Sequence, residues 1–257
     1  MMTNDSLTYV GHSTVLLEIS GTRVLTDPML RSRAGFLRRH PAGVSPASYA
    51  DIDLVLISHL HRDHLDLASL RLLPPQTPVV VPRGAGAIVS GAGRERVIEV
   101  GVGETFAAGA VEATAVPAEH DDRRDPWGAA AEPLGFVLSD GASSAYFAGD
   151  TDLFEGMAEI GPLDLALLPV WGWGHRLGAG HLDPERAARA VALLRPRLAV
   201  PIHWGTYHPV GLGRMMGDRL TAPPLEFARL AARASPEVRV EVLPPGAGIA
   251  LEWTDER

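Results

Sequence analysis

The sequence predicts an α/β protein in which β-sheets pack face to face and helices cover their outer surfaces. Short apolar segments separated by turn signals recur along the whole chain, which is typical of a protein with many strands. A few helical segments lie between those strands and are expected to pack outside the sheets. With 257 residues the chain can bury a substantial single core, so we expect residues 1–257 to form one domain.

The first half of the chain is predicted to be mostly strands. Gly21 marks the turn between the second and third of them. Residues 52–58 form a nearly continuous apolar run, as expected of a strand buried on both faces. Asp66 is a suitable N-cap for a helix that continues through Leu73 and stops at the two following prolines. The predicted strands of this half are residues 7–10, 14–19, 23–26, 52–58, 79–81, 97–100 and 111–116.

The segment 28–51 is predicted to be a loop. It contains Pro41 and Pro46, and it is long for a plain connection, which favours a functional loop. Its arginines could bind a phosphate through bidentate guanidinium contacts, or they could be solvated side chains. These arginines are Arg31, Arg33, Arg38 and Arg39.

The second half of the chain mixes strands and helices. Asp140 and Gly141 form a hairpin signal between two strands. Asp183 and Pro184 supply an N-cap and a first-turn proline to the helix 185–194, which ends before Pro196. A second helix is predicted over residues 225–234. The predicted strands of this half are residues 134–138, 144–148, 163–170, 198–202, 238–243 and 249–253.

Two residue types are absent from the sequence, and their absence excludes several kinds of chemistry. The chain has no cysteine, and all 23 of its basic residues are arginine. Without cysteine there is no disulfide, no thiolate nucleophile and no thiolate-bound metal. Without lysine there is no Schiff base and no phosphate-loop lysine. The reaction must therefore use histidine, carboxylates, hydroxyls, arginine or a metal.

Charge and hydropathy narrow the choice of partners. The formal net charge of −8 is opposite to the basic character of a general nucleic-acid binder, so no nucleic-acid partner is expected. The first residues contain no positive region followed by an apolar stretch, and no apolar run is long enough to cross a bilayer. We therefore expect a cytoplasmic protein without a transmembrane segment. The sequence does not specify an oligomeric state.

One short segment carries the strongest functional signal. After the apolar run 52–58 the chain reads HLHRDH, which places the metal-competent side chains of His59, His61, Asp63 and His64 within six positions. In a loop that leaves a strand, His59 and His61 can point the same way, whereas Asp63 and His64 turn toward a second point. This pattern suits two adjacent metal ions, each bound by nitrogen and oxygen ligands.

Three later residues occupy an equivalent place, because each follows the end of a predicted apolar strand. They are His120, Asp150 and His203. In layered α/β folds, ligands bind beside the carboxyl ends of strands. We therefore expect these side chains and the HLHRDH segment to meet at one rim of the fold.

The HxHxDH pattern, together with the three downstream residues, resembles the metallo-β-lactamase superfamily of dinuclear zinc hydrolases. The resemblance extends over nearly the whole chain, through residues 11–16, 26–28, 149–151, 181–185 and 202–206. These segments are similar to the branch that contains N-acylphosphatidylethanolamine phospholipase D and L-ascorbate-6-phosphate lactonase. The resemblance implies a four-layer αββα sandwich with the metals at one edge of the two sheets.

The resemblance also implies two divalent ions, zinc by preference, with manganese or iron as alternatives. Two such ions can share a water and lower its pKa toward about 7, which provides a metal-bound hydroxide at neutral pH. The implied activity is hydrolysis of a phosphodiester, as in a phospholipase D, or of a lactone or other ester, in a small-molecule or lipid-like substrate. The implied ligands are His59, His61 and His120 for the first ion, Asp63, His64 and His203 for the second, and Asp150 as a bridge.

Other residues are candidates for roles beside the ions. Asp63 and Asp150 are catalytic candidates as well as ligands. His181, just before a predicted helix start, could stabilise an oxyanion or protonate a leaving group, or could simply bond to the helix end. Asp27 is expected to orient a ligand histidine. His12 could act in the same way or be a core histidine.

Some interpretations stay open at this point. Trp171 and Trp173 begin a glycine-rich stretch and could form a mobile wall for an apolar or acyl substrate, or could cover the core. A diiron oxidoreductase of the same fold is an alternative, since iron accepts histidine and carboxylate ligands. A non-catalytic metal-binding scaffold is another. The complete ligand set with Asp150 as a bridge argues against the scaffold, because structural zinc sites are closed and normally hold one ion.

Overall fold

The computed structural model describes residues 5–40, 43–124, 128–171 and 178–253, in which strands and helices are interspersed. The strands, numbered in chain order, are β1 (Ser6–Gly11), β2 (Thr14–Ile19), β3 (Thr22–Thr26), β4 (Arg33–Ala34), β5 (Leu37–Arg39), β6 (Leu54–Leu56), β7 (Val79–Pro82), β8 (Val97–Val100), β9 (Thr105–Ala108), β10 (Val111–Pro117), β11 (Leu134–Ser139), β12 (Ser144–Phe147), β13 (Leu163–Pro169), β14 (Pro196–Ile202), β15 (Tyr207–Pro209), β16 (Arg239–Val240) and β17 (Gly248–Ala250). The helices are α1 (Leu67–Leu70), α2 (Gly86–Ser90), α3 (Met157–Ile160), α4 (Pro184–Leu194), α5 (Gly213–Met216) and α6 (Ala222–Ala234).

The strands of the described residues form two large sheets and one small sheet. The first large sheet has the order β17, β1, β2, β3, β6, β7, β8, and the second has the order β16, β14, β13, β12, β11, β10, β9. In the first sheet, pairing is antiparallel from β17 to β3 and parallel from β3 to β8. In the second sheet, pairing is antiparallel from β9 to β12 and parallel from β12 to β16. Both sheets therefore join an antiparallel half to a parallel half.

The two large sheets pack face to face. Along β2, Val15 and Leu17 belong to the core that the two sheets share, whereas Leu16 belongs to a separate apolar cluster on the other face. The same alternation separates Val80 from Val79 in β7. Both faces of the first sheet are therefore buried, which explains why its strands are apolar at successive positions.

Helices cover the outer faces of both sheets. Leu70 at the end of α1 and Val89 of α2 pack in the outer cluster that also contains Leu16. The helices α4 and α6 pack on each other and on β13 and β14, with Val191 and Phe227 fully buried. The layer order is α, β, β, α, so the predicted αββα sandwich is confirmed.

The helix α1 begins where the sequence predicts and ends earlier. The Asp66 carboxylate accepts a hydrogen bond from the N–H of Ser69, as expected of an N-cap. The helix ends at Leu70 and not at Leu73. The next two turns are tighter, because the N–H groups of Leu72 and Leu73 bond to carbonyls three residues earlier.

The predicted loop 28–51 contains a hairpin. The strands β4 and β5 pair with each other, and β15 joins β5 to complete the small sheet. Arg39 of β5 is 6% exposed, and its guanidinium donates to the carbonyl oxygens of Val10 and Met29 at 3.1 Å each. It also lies 5.3 Å from the ring centroid of Tyr207. A buried arginine therefore fastens the small sheet to the sandwich.

Within the described ranges, no helix has the length and apolar character needed to cross a membrane. The longest described helix, α6, has 13 residues, whereas a membrane-spanning helix needs about 20. The prediction that residues 1–257 form a single domain stays a prediction.

Candidate metal centre

The candidate site lies at one edge of the sandwich, where chain segments leave both large sheets. Residues 59–64 follow β6 of the first sheet, whereas His120, Asp150 and His203 follow β10, β12 and β14 of the second. Those three strands run in the same direction, so their carboxyl ends share an edge. All seven predicted ligand side chains fall in groups whose ligand atoms lie within 4.8 Å of one another.

Three histidines, His59, His61 and His120, form the first group, which we call the histidine trio. Nδ1 of His61 lies 3.0 Å from Nε2 of His59 and 3.0 Å from Nε2 of His120. A ring nitrogen carries at most one proton, so these contacts cannot all be hydrogen bonds. Three ring nitrogens that face a common point are the arrangement that a bound metal ion requires.

Outer hydrogen bonds assign the tautomers of two members of the trio, His59 and His120. Nδ1 of His120 donates to the carbonyl oxygen of Gly180 at 2.6 Å, which leaves its Nε2 unprotonated toward the trio. The Ser58 hydroxyl donates to Oδ2 of Asp27 at 2.6 Å and accepts from Nδ1 of His59 at 2.9 Å. Nε2 of His59 is therefore also unprotonated. Outer contacts of this kind fix ring orientation and raise ligand basicity.

Asp27 orients a further histidine directly. Its Oδ2 accepts from Nδ1 of His64 at 2.7 Å, and its Oδ1 accepts from the N–H of Ser58 at 2.8 Å. Burial raises the pKa of Asp27, and the hydrogen bonds from His64 and Ser58 oppose that rise. Asp27 lies close enough to His59 and His64 to share an ion with them. Its oxygens are already engaged by these hydrogen bonds, so orienting a ligand histidine, the role expected from the sequence, fits better than ligation.

Four side chains, His12, Asp63, His64 and His203, form the second group, which we call the mixed cluster. Oδ2 of Asp63 lies 3.2 Å from Nε2 of His12 and 3.9 Å from Nε2 of His203. The rings of His64 and His203 are stacked with 17° between their planes. The three histidines of the mixed cluster are buried, and Asp63 is the member that reaches solvent.

Asp150 lies between the two groups. Its Oδ2 is 3.4 Å from Nε2 of His64 and 3.3 Å from Nε2 of His203, both in the mixed cluster. A ligand atom of His120, in the histidine trio, also lies within 4.8 Å of the carboxylate. This is the position that a carboxylate shared by two ions must occupy.

The imidazoles are held mainly in the neutral form that binds metals. Burial lowers the pKa of His59, His61 and His120, so each keeps a lone pair available at neutral pH. Burial likewise lowers the pKa of His203 to about 3. These four rings therefore need to release no proton before they bind an ion.

The charged groups of the site stabilise one another. Burial disfavours the ionised forms of Asp63 and Asp150, but neighbouring imidazoles hold the pKa of both carboxyls well below their usual range. Burial also disfavours the charged form of His64. The carboxylates of Asp150 and Asp27 nevertheless hold its pKa well above the usual range. The ionised side chains of Asp63, Asp150 and His64 therefore lie at or beside the mixed cluster, and His64 would release its proton on binding an ion.

The donor set fits a divalent ion. Among the described residues, Nε2 of His64 and Oδ1 of Asp150 are buried without a hydrogen-bond partner. Buried polar atoms are normally hydrogen-bonded or bound to a metal, so an ion at this point would satisfy both atoms. Nitrogen and oxygen donors without thiolates suit zinc, manganese and iron.

His12 is the site residue that the sequence identifies least clearly. It follows Gly11 at the end of β1 with φ of 59°, and its N–H donates to Oγ1 of Thr206 at 2.6 Å. Its carbonyl accepts from the N–H of His203 at 2.7 Å. A Cβ at Gly11 would lie 2.8 Å from Oγ1 of Thr206, so this turn requires glycine. The sequence feature that could have identified His12 as a site residue is its position directly after the glycine that ends a strand.

His181 lies beside Asp150, next to the clusters. Its Nε2 is 3.9 Å from Oδ2 of Asp150, and its ring packs edge-on against His120 with 4.7 Å between centroids. The side chain is 29% exposed, so a substrate could reach it. It precedes Asp183, whose carboxylate caps α4 as predicted. A role of His181 in proton transfer or oxyanion binding stays a prediction.

Trp171 and Arg31, two further candidates from the sequence, have structural contacts. Trp171 is buried in the main core cluster, which favours the interpretation of a core cover, whereas Trp173 lies outside the described residues. Arg31 pairs with Asp66 through two hydrogen bonds of 2.8 and 2.9 Å.

The four arginines of segment 28–51 therefore have different environments. Arg31 is engaged by a carboxylate and Arg39 is buried, whereas Arg33 and Arg38 are exposed. They do not act together as a phosphate site.

This fold and this cluster of donors define a metal-dependent hydrolase. The chain belongs to the beta-lactamase superfamily, whose domain profile matches residues 22–204. It is 34% identical over 246 residues to the UPF0173 metal-dependent hydrolase MK1542 of Methanopyrus kandleri, which covers 93% of this chain and 97% of that relative. The structure of Igni18, a metallo hydrolase from Ignicoccus hospitalis, is similar with a TM-score of 0.74 and 25% identity, and the match covers 97% of this chain and 99% of that one.

A related fold also occurs in an oxidoreductase. CmlA, a diiron β-hydroxylase from Streptomyces venezuelae, is similar with a TM-score of 0.72 and 23% identity over 98% of this chain, but over only 55% of CmlA. A likeness at this level of identity concerns the fold alone. It does not favour a diiron oxidoreductase over a hydrolase.

Proposed function

We propose that the chain binds two divalent metal ions, with zinc preferred and manganese or iron as alternatives. The histidine trio holds one ion, Asp63, His64 and His203 hold the other, and Asp150 bridges the two. The convergence of three ring nitrogens at His61 supports the first position. The buried atoms Nε2 of His64 and Oδ1 of Asp150, which have no hydrogen-bond partner among the described residues, support the second.

We further propose that the substrate is a phosphodiester, or a lactone or similar ester, in a small-molecule or lipid-like compound. The observation that carries this proposal is the position of Asp150, within reach of both clusters at an open edge of the sandwich. Two bound ions would supply a Lewis acid and a hydroxide nucleophile at neutral pH. The resemblance of residues 181–185 and 202–206 to the branch that contains N-acylphosphatidylethanolamine phospholipase D and L-ascorbate-6-phosphate lactonase supports a phosphodiester or lactone bond as the target.

His181 is proposed to transfer a proton to the leaving group or to hold the developing oxyanion. It lies 3.9 Å from Asp150, it is partly exposed, and the chain contains no lysine for the same task. The Asp63 carboxylate, 3.2 Å from His12, remains ionised and orients the ligands around it.

A hydrolysis panel tests the proposed reaction. The protein is loaded with zinc, manganese or iron and assayed on phosphodiesters, N-acyl phospholipids, sugar-phosphate lactones and acyl lactones, with metal content measured in parallel. We expect turnover in at least one class, lost on chelation and restored by metal. Failure on every phosphodiester would remove the phospholipase-like option, and failure on all classes would refute the reaction. Two irons with redox activity would favour the oxidoreductase.

A His181→Gln variant tests the proton donor. We expect kcat to fall about 100-fold or more with unchanged metal content, because general acid catalysis typically contributes that much. The loss should shrink for a substrate whose leaving group needs no proton, such as p-nitrophenolate. The matched control is His40→Gln, at an exposed histidine outside both clusters. An equal loss for good and poor leaving groups would contradict proton donation.

A further inference from the structure

A cavity of about 380 Å³ lies beside the mixed cluster, and we call it the side cavity. Residues of the β4–β5 hairpin and of the segment 62–66 line the cavity. Its apolar lining includes Ala34, Phe36, Leu37, Leu65 and Pro209, and Asp63 is among its charged lining residues. Its volume falls within the range of cavities that bind small molecules, about 300–1,000 Å³.

The side cavity shares a side chain with the candidate metal centre. Asp63 lines the cavity, and its Oδ2 lies 3.2 Å from Nε2 of His12 and 3.9 Å from Nε2 of His203. A molecule whose reacting group sits between the two clusters therefore has the cavity next to it. The cavity is in the right place for a part of the substrate that does not react.

The walls of the cavity are mainly apolar. Leu37, Leu65 and Pro209 contribute hydrocarbon surface, and the charged pair of Arg31 and Asp66 is closed by two hydrogen bonds. An aliphatic or aromatic group gains free energy when it leaves water for such a surface.

Arginines of the wall also have structural contacts. Arg124 donates to the carbonyl oxygens of Leu60 at 2.8 Å and Leu65 at 3.2 Å, which holds the wall in place. Arg62 brings positive charge next to Asp63 at the same wall. The apolar surface is therefore backed by fixed hydrogen bonds.

The mouth of the cavity is also apolar. Phe36 lines the cavity and is 72% exposed, which is unusual for a phenylalanine in a turn. Its carbonyl oxygen accepts from the N–H of Val210 at 2.9 Å, and Val210 is itself 45% exposed. An apolar group longer than the cavity would therefore leave it over apolar side chains. Exposed apolar surface of this kind commonly marks a binding site.

We propose that the side cavity binds an apolar arm of the substrate, an acyl or aryl group attached to the ester that reacts at the metal centre. This inference rests on the proposed function, because it assumes that the reacting group lies between the two clusters. It adds a substrate class: esters with one apolar substituent, in preference to small polar esters. Phe36 and Ala34 then determine how long an arm is accepted.

Binding of n-alkylphosphonates, from methyl to octyl, to the metal-loaded full-length protein tests this inference by calorimetry. The phosphonate is not hydrolysed, so the measurement does not depend on turnover. We expect each added methylene to tighten binding about fourfold until the cavity is filled, with an increasingly negative heat-capacity change.

Two variants test whether the dependence of binding on chain length arises in the side cavity. Phe36→Ala shortens the exposed wall, and Ala34→Leu fills the interior, so both should reduce the gain per methylene. Phe36 is exposed, so its variant keeps the test decisive if Ala34→Leu fails to fold. Leu72→Ala is the matched control, because Leu72 is 48% exposed and does not line the cavity.

The outcomes separate the two proposals. A chain-length dependence that both variants weaken supports the side cavity. A flat series, undetectable binding of octylphosphonate, or a dependence unchanged in both variants overturns it. Esters with short and long arms are then assayed for turnover. No turnover on any ester would refute the proposed hydrolysis, whereas the phosphonate series would still decide whether the cavity binds an apolar arm.

Discussion

The histidine trio and the mixed cluster are neighbours with different physical properties. The trio contains imidazoles alone, and His61 and His120 are partly exposed. The mixed cluster contains Asp63, its histidines are buried, and Asp150 contacts two of its members. Ionised carboxylates, which attract a cation, therefore lie at and beside the mixed cluster, whereas two of the three imidazoles of the trio are partly exposed.

This asymmetry predicts unequal ion binding. An ion at the mixed cluster would be held by Asp63 and Asp150 among buried histidines, where electrostatic attraction is strong. An ion at the trio would be held by three neutral imidazoles and the shared Asp150 carboxylate, and two of those imidazoles are partly exposed. We therefore expect the ion of the mixed cluster to be bound more firmly and the ion of the trio to exchange more readily.

The largest expected effect comes from removing the group that both clusters share. Asp150→Ala should weaken ion binding at both positions, because each would lose the carboxylate that they share. We expect metal content to fall below one ion per chain and hydrolysis to fall by about 10³-fold or more, as when a preorganised charge is lost. Elemental analysis and the hydrolysis assay measure both. Full metal content in this variant would contradict the bridging position.

Two histidine variants, one in each cluster, should lower the free energy of unfolding by different amounts. In metal-free protein, His64→Ala leaves the buried Asp27 carboxylate without its 2.7 Å partner, which should cost about 3–5 kcal/mol. His61→Ala removes a partly exposed ring and should change stability by no more than about 1 kcal/mol. Urea unfolding measures both, with loss of metal expected in each variant. Equal destabilisation would show that the two sides are not different.

A smaller effect is expected when Asp27, which hydrogen-bonds to the predicted ligand His64, loses its charge. Asp27→Asn keeps the shape but weakens the hydrogen bonds to His64 and Ser58, and metal affinity should fall about 10–100-fold. The weakening should be largest at the mixed cluster, where Asp27 contacts a predicted ligand directly. Asp122→Asn is the matched control, at an exposed carboxylate. Competition with a chromophoric chelator reports the affinities, and an unchanged affinity would exclude an orienting role.

The smallest expected effect is on stability and comes from a contact between the two sheets that is not part of the metal centre. Ser20 donates to Oδ2 of Asp140 at 2.5 Å, between a turn of the first sheet and a hairpin of the second. Partial burial opposes ionisation, but hydrogen bonds from Ser20 and Ser143 lower the pKa of Asp140 to about 2.

This contact has a defined pH dependence. Its contribution is present above the unfolded pKa near 3.8 and is lost as pH falls toward 2. We expect Asp140→Asn to cost roughly 1 kcal/mol at pH 7 after solvent screening, with unchanged metal content. The cost should fall as pH passes through about 2 and should be lost below it. A cost that persists there would show that the carboxylate charge is not responsible.

Much of the sandwich could be predicted from the sequence because its strands are apolar runs with clear turns. The strand β9 was missed, since it lies at a sheet edge with Thr105 and Ala107 exposed, and alanine favours strands weakly. The hairpin of β4 and β5 was missed because its strands have two and three residues. It depends on pairing with β15, about 170 residues later, and no local pattern reports that contact.

Some residues of the candidate site could also be predicted from the sequence, and others could not. The juxtaposition of His59, His120 and His203 follows from a rule about strand ends, so a local pattern suffices to predict it. The contact of His12 with Asp63 depends on a left-handed turn and on a partner 51 positions away. The pattern of apolar residues along the sequence indicates neither the left-handed turn nor the distant partner. The hydroxyl of Ser58, which connects Asp27 to His59, is likewise visible only in three dimensions.

The seven candidate ligands lie on segments of both sheets, from His59 after β6 to His203 after β14. An ion shared among them closes a long loop of chain, and its binding free energy is added to the free energy of folding. At a free concentration one hundred times its dissociation constant, each ion would stabilise the folded state by about 2.7 kcal/mol. The stability of the sandwich would then depend on the concentration of free metal around it. A low metal concentration would destabilise the fold as well as stop hydrolysis.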